Sequence, residues 1–168
     1  MRLLSLEVTN YRNISKAQLE PGRELTVICG NNGQGKTNLL EAIWLLTGGK
    51  SFRGGKDAEL VRRGETFAVL DAVTLRAWQE DQERDDPSHV RITVGMPDSQ
   101  RPGRYASVNG TPPKRAAGLA GSFPAVVFDP GHLSLVKGAP EGRRKFLDAA
   151  LCPLYPGYLA TYRRYVRV

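Results

Sequence analysis

The stretch that decides the fold is Gly30-Asn31-Asn32-Gly33-Gln34-Gly35-Lys36-Thr37, which fits the pattern GxxxxGK[ST] at every required position. Glycines let the backbone turn so that successive N–H groups face an anion, and a following helix adds its positive end. In this pattern the lysine reaches the β- and γ-phosphates of a nucleotide, and the threonine hydroxyl binds Mg²⁺. The motif therefore predicts an α/β P-loop NTPase fold that binds a nucleotide with Mg²⁺, with Thr37 as the metal ligand, and leaves the choice between ATP and other nucleotides open. The candidate nucleotide-binding residues are Gly30, Asn31, Asn32, Gly33, Gln34, Gly35, Lys36, Thr37 and Asn38.

The segments on either side of the motif have the expected patterns. Leu25–Cys29 is almost continuously apolar, which is typical of a strand covered on both faces. Residues 36–47 predict a helix with one apolar stripe, and Gly48-Gly49 predict its end. The stripe consists of Leu39, Leu40, Ile43, Leu46 and Thr47.

Strand patterns occupy the chain before and after this unit. Leu4, Leu6 and Val8 alternate with polar residues, which is the period of a half-buried strand. After Gly64, antiparallel strands are predicted over residues 67–76 and 90–94, and residues 105–108 run into the tight-turn dipeptide Asn109-Gly110.

The last third of the sequence predicts a buried strand over residues 125–128 and helices over residues 141–151 and 158–166. The second of these helices has no C-cap signal, which favours a lobe of something larger over a complete protein. The expected fold is a mixed sheet with antiparallel hairpins after the phosphate-loop helix, followed by C-terminal helices, over residues 1–168.

The charge distribution favours a polyanionic partner. The chain carries 24 basic and 17 acidic residues, for a net charge of +7, but residues 79–86 contain five acids and one base. The remainder therefore carries 23 bases and 12 acids. A surface this basic suits nucleic acid first and an anionic membrane second, and a merely solvated surface is the alternative.

Two classes of protein are disfavoured by the composition. No apolar run approaches the roughly 20 residues that cross a bilayer, and the N-terminus has no continuous apolar region typical of a secretory signal. Cys29 and Cys152 are too few for a disulfide framework, so we expect reduced thiols in a cytoplasmic protein that does not insert into membranes.

A Walker B carboxylate is harder to identify than the phosphate loop. Asp129 is the one acid that directly follows an apolar, strand-like segment, and as a Mg²⁺ ligand it would make the chain a self-sufficient small NTPase or kinase. Pro130 follows it at once, and no second acid stands beside it to polarise water. The alternative is an aspartate that ends a strand before an Asp-Pro turn.

Three motifs resemble the RecF family, a relative of the ABC-type ATPases of the SMC group. The opening segment LEVTNYRN resembles the family's first strand and turn, and GNNGQGKTNLLEA, with Ser51-Phe52-Arg53 just beyond, resembles its phosphate loop and helix. The segment FDPGHLSLVKGAPEGRRKFLD is similar to a third family motif. One position departs, because Gly131 stands where the family commonly has an acid.

The resemblance implies a function for the whole family. Two protomers would enclose ATP in an ATP-gated homodimer, bind single-stranded, linear double-stranded or gapped DNA, and work with a RecR-like partner in DNA replication, recombinational repair and the SOS response. This chain would be the N-terminal lobe, because the second lobe, signature motif and Walker B segment of the family lie further along. It would then bind ATP without hydrolysing it, and Asp129 would not be a Walker B residue.

Further site residues follow from the resemblance or from charge. Arg12 and Asn13 resemble family residues near the nucleotide, although Arg12 is equally consistent with a surface charge. Basic residues near the C-terminus form a candidate DNA-contacting face, with internal ion pairs as the alternative. They are Arg143, Arg144 and Lys145, with Lys137, Arg163, Arg164 and Arg167 beside them in the sequence. A non-catalytic nucleotide-binding fragment remains a further alternative.

Overall fold

The computed structural model describes residues 1–75, 87–95, 103–111, 114–119, 122–128 and 130–165. Its centre is a six-stranded sheet in the order β2-β1-β3-β4-β5-β6. Every described pairing is antiparallel, so this sheet differs from the mixed sheet expected from the sequence. The strands are β1 Arg2–Tyr11, β2 Ile14–Leu19, β3 Phe67–Leu75, β4 Ser88–Gly95, β5 Arg104–Val108 and β6 Lys114–Arg115.

The first strand alternates as predicted, with one displacement. Leu6 and Val8 are fully buried, but Leu3 is buried in place of Leu4. The register against β3 shifts between Leu3 and Ser5, which leaves Leu4 as an extra residue in a bulge. Because side chains alternate with period two, one extra residue moves the preceding positions to the opposite face.

The strands after the phosphate-loop helix form the antiparallel hairpins that the sequence predicts. The buried residues of β3 and β4 alternate strictly, and each fully buried aliphatic side chain contributes roughly 1.5–3 kcal/mol. Asn109 and Gly110 both have positive φ, 49° and 72°, and the Thr111 amide donates to the Val108 carbonyl across the turn. The acidic segment 79–86 lies outside the described residues.

The helix after the glycine-rich loop is α1, Lys36–Leu45, and it covers one face of the sheet. Its buried residues are Glu41, Ala42 and Leu45, followed by Leu46 beyond the helix end. The predicted stripe is therefore wrong in part, because Leu40 is 50% exposed. The buried face is rotated toward Glu41, where tertiary hydrogen bonds compensate a carboxylate that the apolar pattern alone would place in solvent.

Two predicted strands are wrong. Leu25–Cys29 and residues 125–128 have no strand structure, and Leu25, Val27, Val126 and Phe128 are all at least 72% exposed. A strand is stabilised by hydrogen bonds to a neighbouring strand, and no described segment pairs with either stretch. These four side chains consequently lie on the surface, whereas Ala125 packs in part against the core.

The C-terminal part contains the two predicted helices, as α3 Pro140–Leu154 and α4 Pro156–Tyr165, preceded by a short helix α2 Ser134–Lys137 that was not predicted. The helices α3 and α4 are joined by a hydrogen bond of 2.6 Å from the Tyr158 hydroxyl to Asp148, and Tyr158 stacks on Tyr162. Within the described ranges, no helix is both long enough and apolar enough to span a bilayer.

Candidate functional site

The candidate site is the loop that leads into α1. Gly35, the residue before the helix, has a φ of 96°, a conformation that glycine adopts without the strain of a side chain. No side chain caps the first turn of α1, so its first backbone N–H groups have no capping partner. Such a helix start, with its positive dipole end, binds anions.

The loop is closed by its own lysine. The Nζ atom of Lys36 donates to the carbonyl oxygens of Gly30 and Asn31, each at 2.7 Å. The ammonium therefore lies over the concave side of the loop, next to the open end of α1. Thr37 is exposed on the first turn of the same helix.

The turn of the β1–β2 hairpin packs against this loop. The Asn13 side-chain amide donates to the Gly33 carbonyl at 2.6 Å, and its oxygen accepts from the Asn38 amide at 2.7 Å. A Cβ atom on Gly35 would lie only 2.8 Å from Asn13 Oδ1, so the contact requires glycine there. Asn13 thus contacts the glycine-rich loop, and its role beside a nucleotide stays a prediction.

Arg12, at the same turn, is not a free surface charge. Its Nε and Nη2 atoms donate to the two carboxylate oxygens of Glu41 at 3.0 and 2.8 Å, and Nη1 donates to the Glu59 carbonyl at 3.0 Å. Glu41 is fully buried. A two-bond guanidinium–carboxylate pair of this kind fixes both position and orientation. The structure therefore places Arg12 against α1, on an internal partner.

Burial and hydrogen bonding act against each other on Glu41. Burial alone would raise the pKa of Glu41, but hydrogen bonds from Arg12 and Ser51 outweigh it, so the pKa is lower than usual. The hydrogen bond to Glu41 raises the pKa of Arg12. Burial raises the pKa of Tyr11, whose hydroxyl is close to the same carboxylate. The pair is therefore ionised over the whole neutral range.

Glu41 was not among the site residues predicted from the sequence. Ser51 donates to its carboxylate, and Arg53 lies 4.0 Å from it while donating to the Asn38 side chain. The available signal was helical spacing, because Glu41 is one turn before the apolar Leu45 and therefore on the same face.

Among the other predicted residues, those whose side chains the structure describes make no hydrogen bond to this site. Asp129 lies outside the described residues, as does Arg167. Arg143 donates to the Leu135 and Gly138 carbonyls at the end of α2, so it has partners within the fold. Arg144, Lys137 and Arg164 are exposed, and the side chains of Lys145 and Arg163 lie outside the described part of the helices.

Comparison with known proteins gives a consistent family. A model described as "AAA domain" matches residues 5–99, more than half of the chain. The RecF protein of Anaeromyxobacter sp. (strain Fw109-5) is 41% identical over 99% of this chain and 42% of its own length. That of Geobacter sp. (strain M21) is 35% identical over 100% of this chain and 43% of its own. The chain thus spans about two fifths of the length of the curated relatives it matches.

Solved structures agree with the sequence matches. The recombination mediator RecF bound to ATP superposes with a TM-score of 0.85 at 32% identity, covering 98% of this chain and 42% of that one. A chain from a structural study of SMC ATPases superposes with a TM-score of 0.63 at 20% identity, covering 87% and 97%, which shows a shared fold. The P-loop ATPase fold predicted from the glycine-rich motif is confirmed. The chain therefore belongs to the AAA domain family, and over nearly its whole length it is a homologue of the RecF proteins.

Proposed function

We propose that this chain is the nucleotide-binding lobe of a RecF-type recombination mediator and binds ATP with Mg²⁺. The observation that carries the proposal is the uncapped start of α1 beneath a glycine-rich loop whose lysine is held over it. Phosphate oxygens would accept hydrogen bonds from the backbone N–H groups and replace the two carbonyl oxygens as partners of Lys36.

The residues present suit a magnesium ion that arrives with the nucleotide. Mg²⁺ prefers oxygen ligands and is usually bound by one or two protein groups together with phosphates and water. Thr37 offers a hydroxyl on the first turn of α1, and no cluster of three metal-binding side chains occurs among the described residues. When bound, the ion would neutralise phosphate charge, while Thr37 would orient it.

Hydrolysis and DNA binding would require more than this lobe. The exposed apolar stretches Leu25–Cys29 and 125–128 are suited to pairing with strands from a second lobe. The whole protein would act as an ATP-gated dimer in the cytoplasm, with DNA and a RecR-like partner, which is what the sequence resemblance to the RecF family implies. Within the candidate DNA-contacting face, Arg144, Lys137 and Arg164 are exposed and available for phosphate contacts.

The test is Mg-ATP binding and steady-state hydrolysis by the purified chain, with and without DNA, beside the variant Lys36→Ala. We expect wild-type binding without turnover and loss of binding in Lys36→Ala with unchanged thermal unfolding. Lys50→Ala is the matched control, because Lys50 is an exposed lysine beyond the end of α1. Equal affinity in Lys36→Ala would contradict the phosphate-loop assignment.

Addition of a second fragment separates the alternatives. A fragment of the Anaeromyxobacter relative without the aligned segment is mixed with this chain, and ATP turnover is measured again. Turnover that appears on mixing supports the two-lobe proposal. Turnover by the chain alone that Asp129→Asn abolishes would indicate a self-sufficient NTPase, whereas binding without turnover in either case would indicate a non-catalytic module.

A further inference from the structure

The buried carboxylate of Glu41 is the point at which four separate segments meet. Its oxygens accept hydrogen bonds from Arg12 at the hairpin turn and from Ser51 after α1. Arg12 also reaches the Glu59 carbonyl, which ties in a fourth segment. Removing one partner of such a buried pair leaves the other charge uncompensated, so this arrangement is sensitive to single substitutions.

The backbone of the hairpin turn is strained where Arg12 lies. Asn10 and Arg12 have φ values of 52° and 53°, a left-handed conformation that residues with side chains rarely adopt. The Arg12 amide donates to the Leu60 carbonyl, and the Arg62 amide donates to the Asn10 carbonyl, both at 2.8 Å. Strained residues persist when surrounding contacts determine them, and here the Glu41 pair supplies the side-chain contact.

A series of hydrogen bonds runs from Arg53 through the hairpin turn to the phosphate loop. Arg53 donates to Asn38, Asn38 donates to Asn13, and Asn13 donates to the Gly33 carbonyl. Each amide has its oxygen and nitrogen assigned by its neighbours, so the series has one self-consistent orientation. Arg53 and Arg12 both lie within 4.0 Å of the Glu41 carboxylate, so one anion contacts the first residue of the series and the neighbour of Asn13 in the hairpin turn.

We propose that Glu41 is a positioning residue of the nucleotide site, which acts through Arg12 and the hairpin turn to hold the phosphate loop ready for phosphate. This inference rests on the proposed function. Glu41 itself does not contact the nucleotide, because its carboxylate is fully buried behind α1. Its effect on affinity is transmitted through the position of Asn13 against Gly33.

A double-mutant cycle in Mg-ATP affinity tests this role, with the variants Glu41→Gln, Arg12→Ala and the combination. We expect Glu41→Gln to weaken binding on the order of ten-fold, the scale of one buried hydrogen bond. In the Arg12→Ala background, Glu41→Gln should not weaken Mg-ATP binding further, because the Arg12 side chain through which Glu41 acts is already missing. Additive losses would overturn the proposal.

Two further measurements separate positioning from general stability. The Asn13 side-chain amide signals in a ¹H–¹⁵N spectrum should shift in Glu41→Gln, while the control Glu59→Gln should leave them and the affinity unchanged. Arg12 contacts only the backbone carbonyl of Glu59, which that control retains. A variant Glu41→Gln that melts earlier but binds Mg-ATP as wild type would overturn the inference.

The outcomes remain distinct from those for the proposed function. Wild-type protein that does not bind Mg-ATP overturns both, whereas wild-type binding with equal affinity in Glu41→Gln overturns this inference alone. If Glu41→Gln does not fold, Ser51→Ala replaces it, because that change removes a hydrogen bond to the carboxylate and keeps its charge. Unchanged affinity and unchanged Asn13 signals in Ser51→Ala would then contradict the proposal.

Discussion

The side-chain nitrogen of Asn13 lies 2.6 Å from the carbonyl oxygen of Gly33, although 20 residues separate them along the chain. The contact joins a hairpin turn of the sheet to a loop that no strand directly precedes. The position of the phosphate loop therefore depends on side chains of a different element.

Because the hairpin turn lies so close to Gly35, adding a single methyl group there should weaken nucleotide binding. Gly35→Ala should lower Mg-ATP affinity about ten-fold, because a Cβ would lie 2.8 Å from Asn13 Oδ1 and 3.1 Å from Ile14 Cγ1. The matched control is Gly64→Ala, where φ is 92° and no atom lies within 4 Å. In both variants the free energy of unfolding should fall by roughly 1–2 kcal/mol, because alanine is strained at a positive φ. If isothermal titration gave Gly35→Ala and Gly64→Ala the same affinity for Mg-ATP, the contact between Gly35 and Asn13 would not support nucleotide binding.

The direction of the amide series predicts that Asn38→Asp is more harmful than its size suggests. The change replaces the donor that Asn13 accepts with a second carboxylate oxygen, so two acceptors would face each other. We expect a loss of roughly 1–3 kcal/mol in urea unfolding, together with weaker nucleotide binding. In the control Asn109→Asp, the side chain only accepts, from the His89 amide, so stability should change little. A reversed order of the two variants would show that the series is not formed.

The lowered pKa of Glu41 predicts acid sensitivity with a definite sign. Because the folded-state pKa is below the ordinary value of 4.5, the stabilisation is complete above pH 4.5. It is lost as the pH falls from 4.5 through the folded-state value, where the unfolded chain binds more protons. Chemical unfolding at stepped pH should show a shallower slope in this window for Glu41→Gln. If the unfolding free energy of wild type and variant changed equally with pH, Glu41 would not contribute to acid unfolding.

We expect the buried Arg104 to contribute more to the stability of the fold than the exposed Arg91. Its Nη1 atom donates to the Gly49 carbonyl at 2.6 Å, and burial lowers the pKa of its guanidinium. Arg104→Leu should destabilise the fold by roughly 1–3 kcal/mol, because that carbonyl loses its partner. Arg91→Leu is the control, since Arg91 pairs with Asp71 at the surface and should contribute at most about 1 kcal/mol. Equal midpoints in thermal unfolding would contradict the assignment.

Local patterns in the sequence were sufficient for several features. The spacing of glycines and Lys36 identified the phosphate loop, and strand-forming runs on either side of the acidic stretch identified the strands β3 and β4. Asn109-Gly110 identified a turn in which both residues have positive φ. These features depend on neighbours a few residues apart, which is why a single sequence contains their signal.

Other features depend on contacts between distant residues, and the local pattern was misleading for them. Residues 25–29 and 125–128 have strand composition, yet a strand also needs a hydrogen-bonding neighbour, and none of the described segments provides one. A glutamate in a helix is usually exposed, but Glu41 is buried because Arg12, 29 residues away, neutralises its charge.

The chemistry of the candidate site can therefore be derived from local sequence: a loop of glycines, a lysine and a threonine at the start of a helix. The contacts that hold that loop in place are visible only in the folded chain, namely Asn13 at the hairpin turn and the buried pair of Arg12 and Glu41 behind it. This is because the conformation of a glycine-rich loop is weakly specified by its own residues. Hydrogen bonds from other elements restrict it, and these form only when the sheet and α1 have packed together.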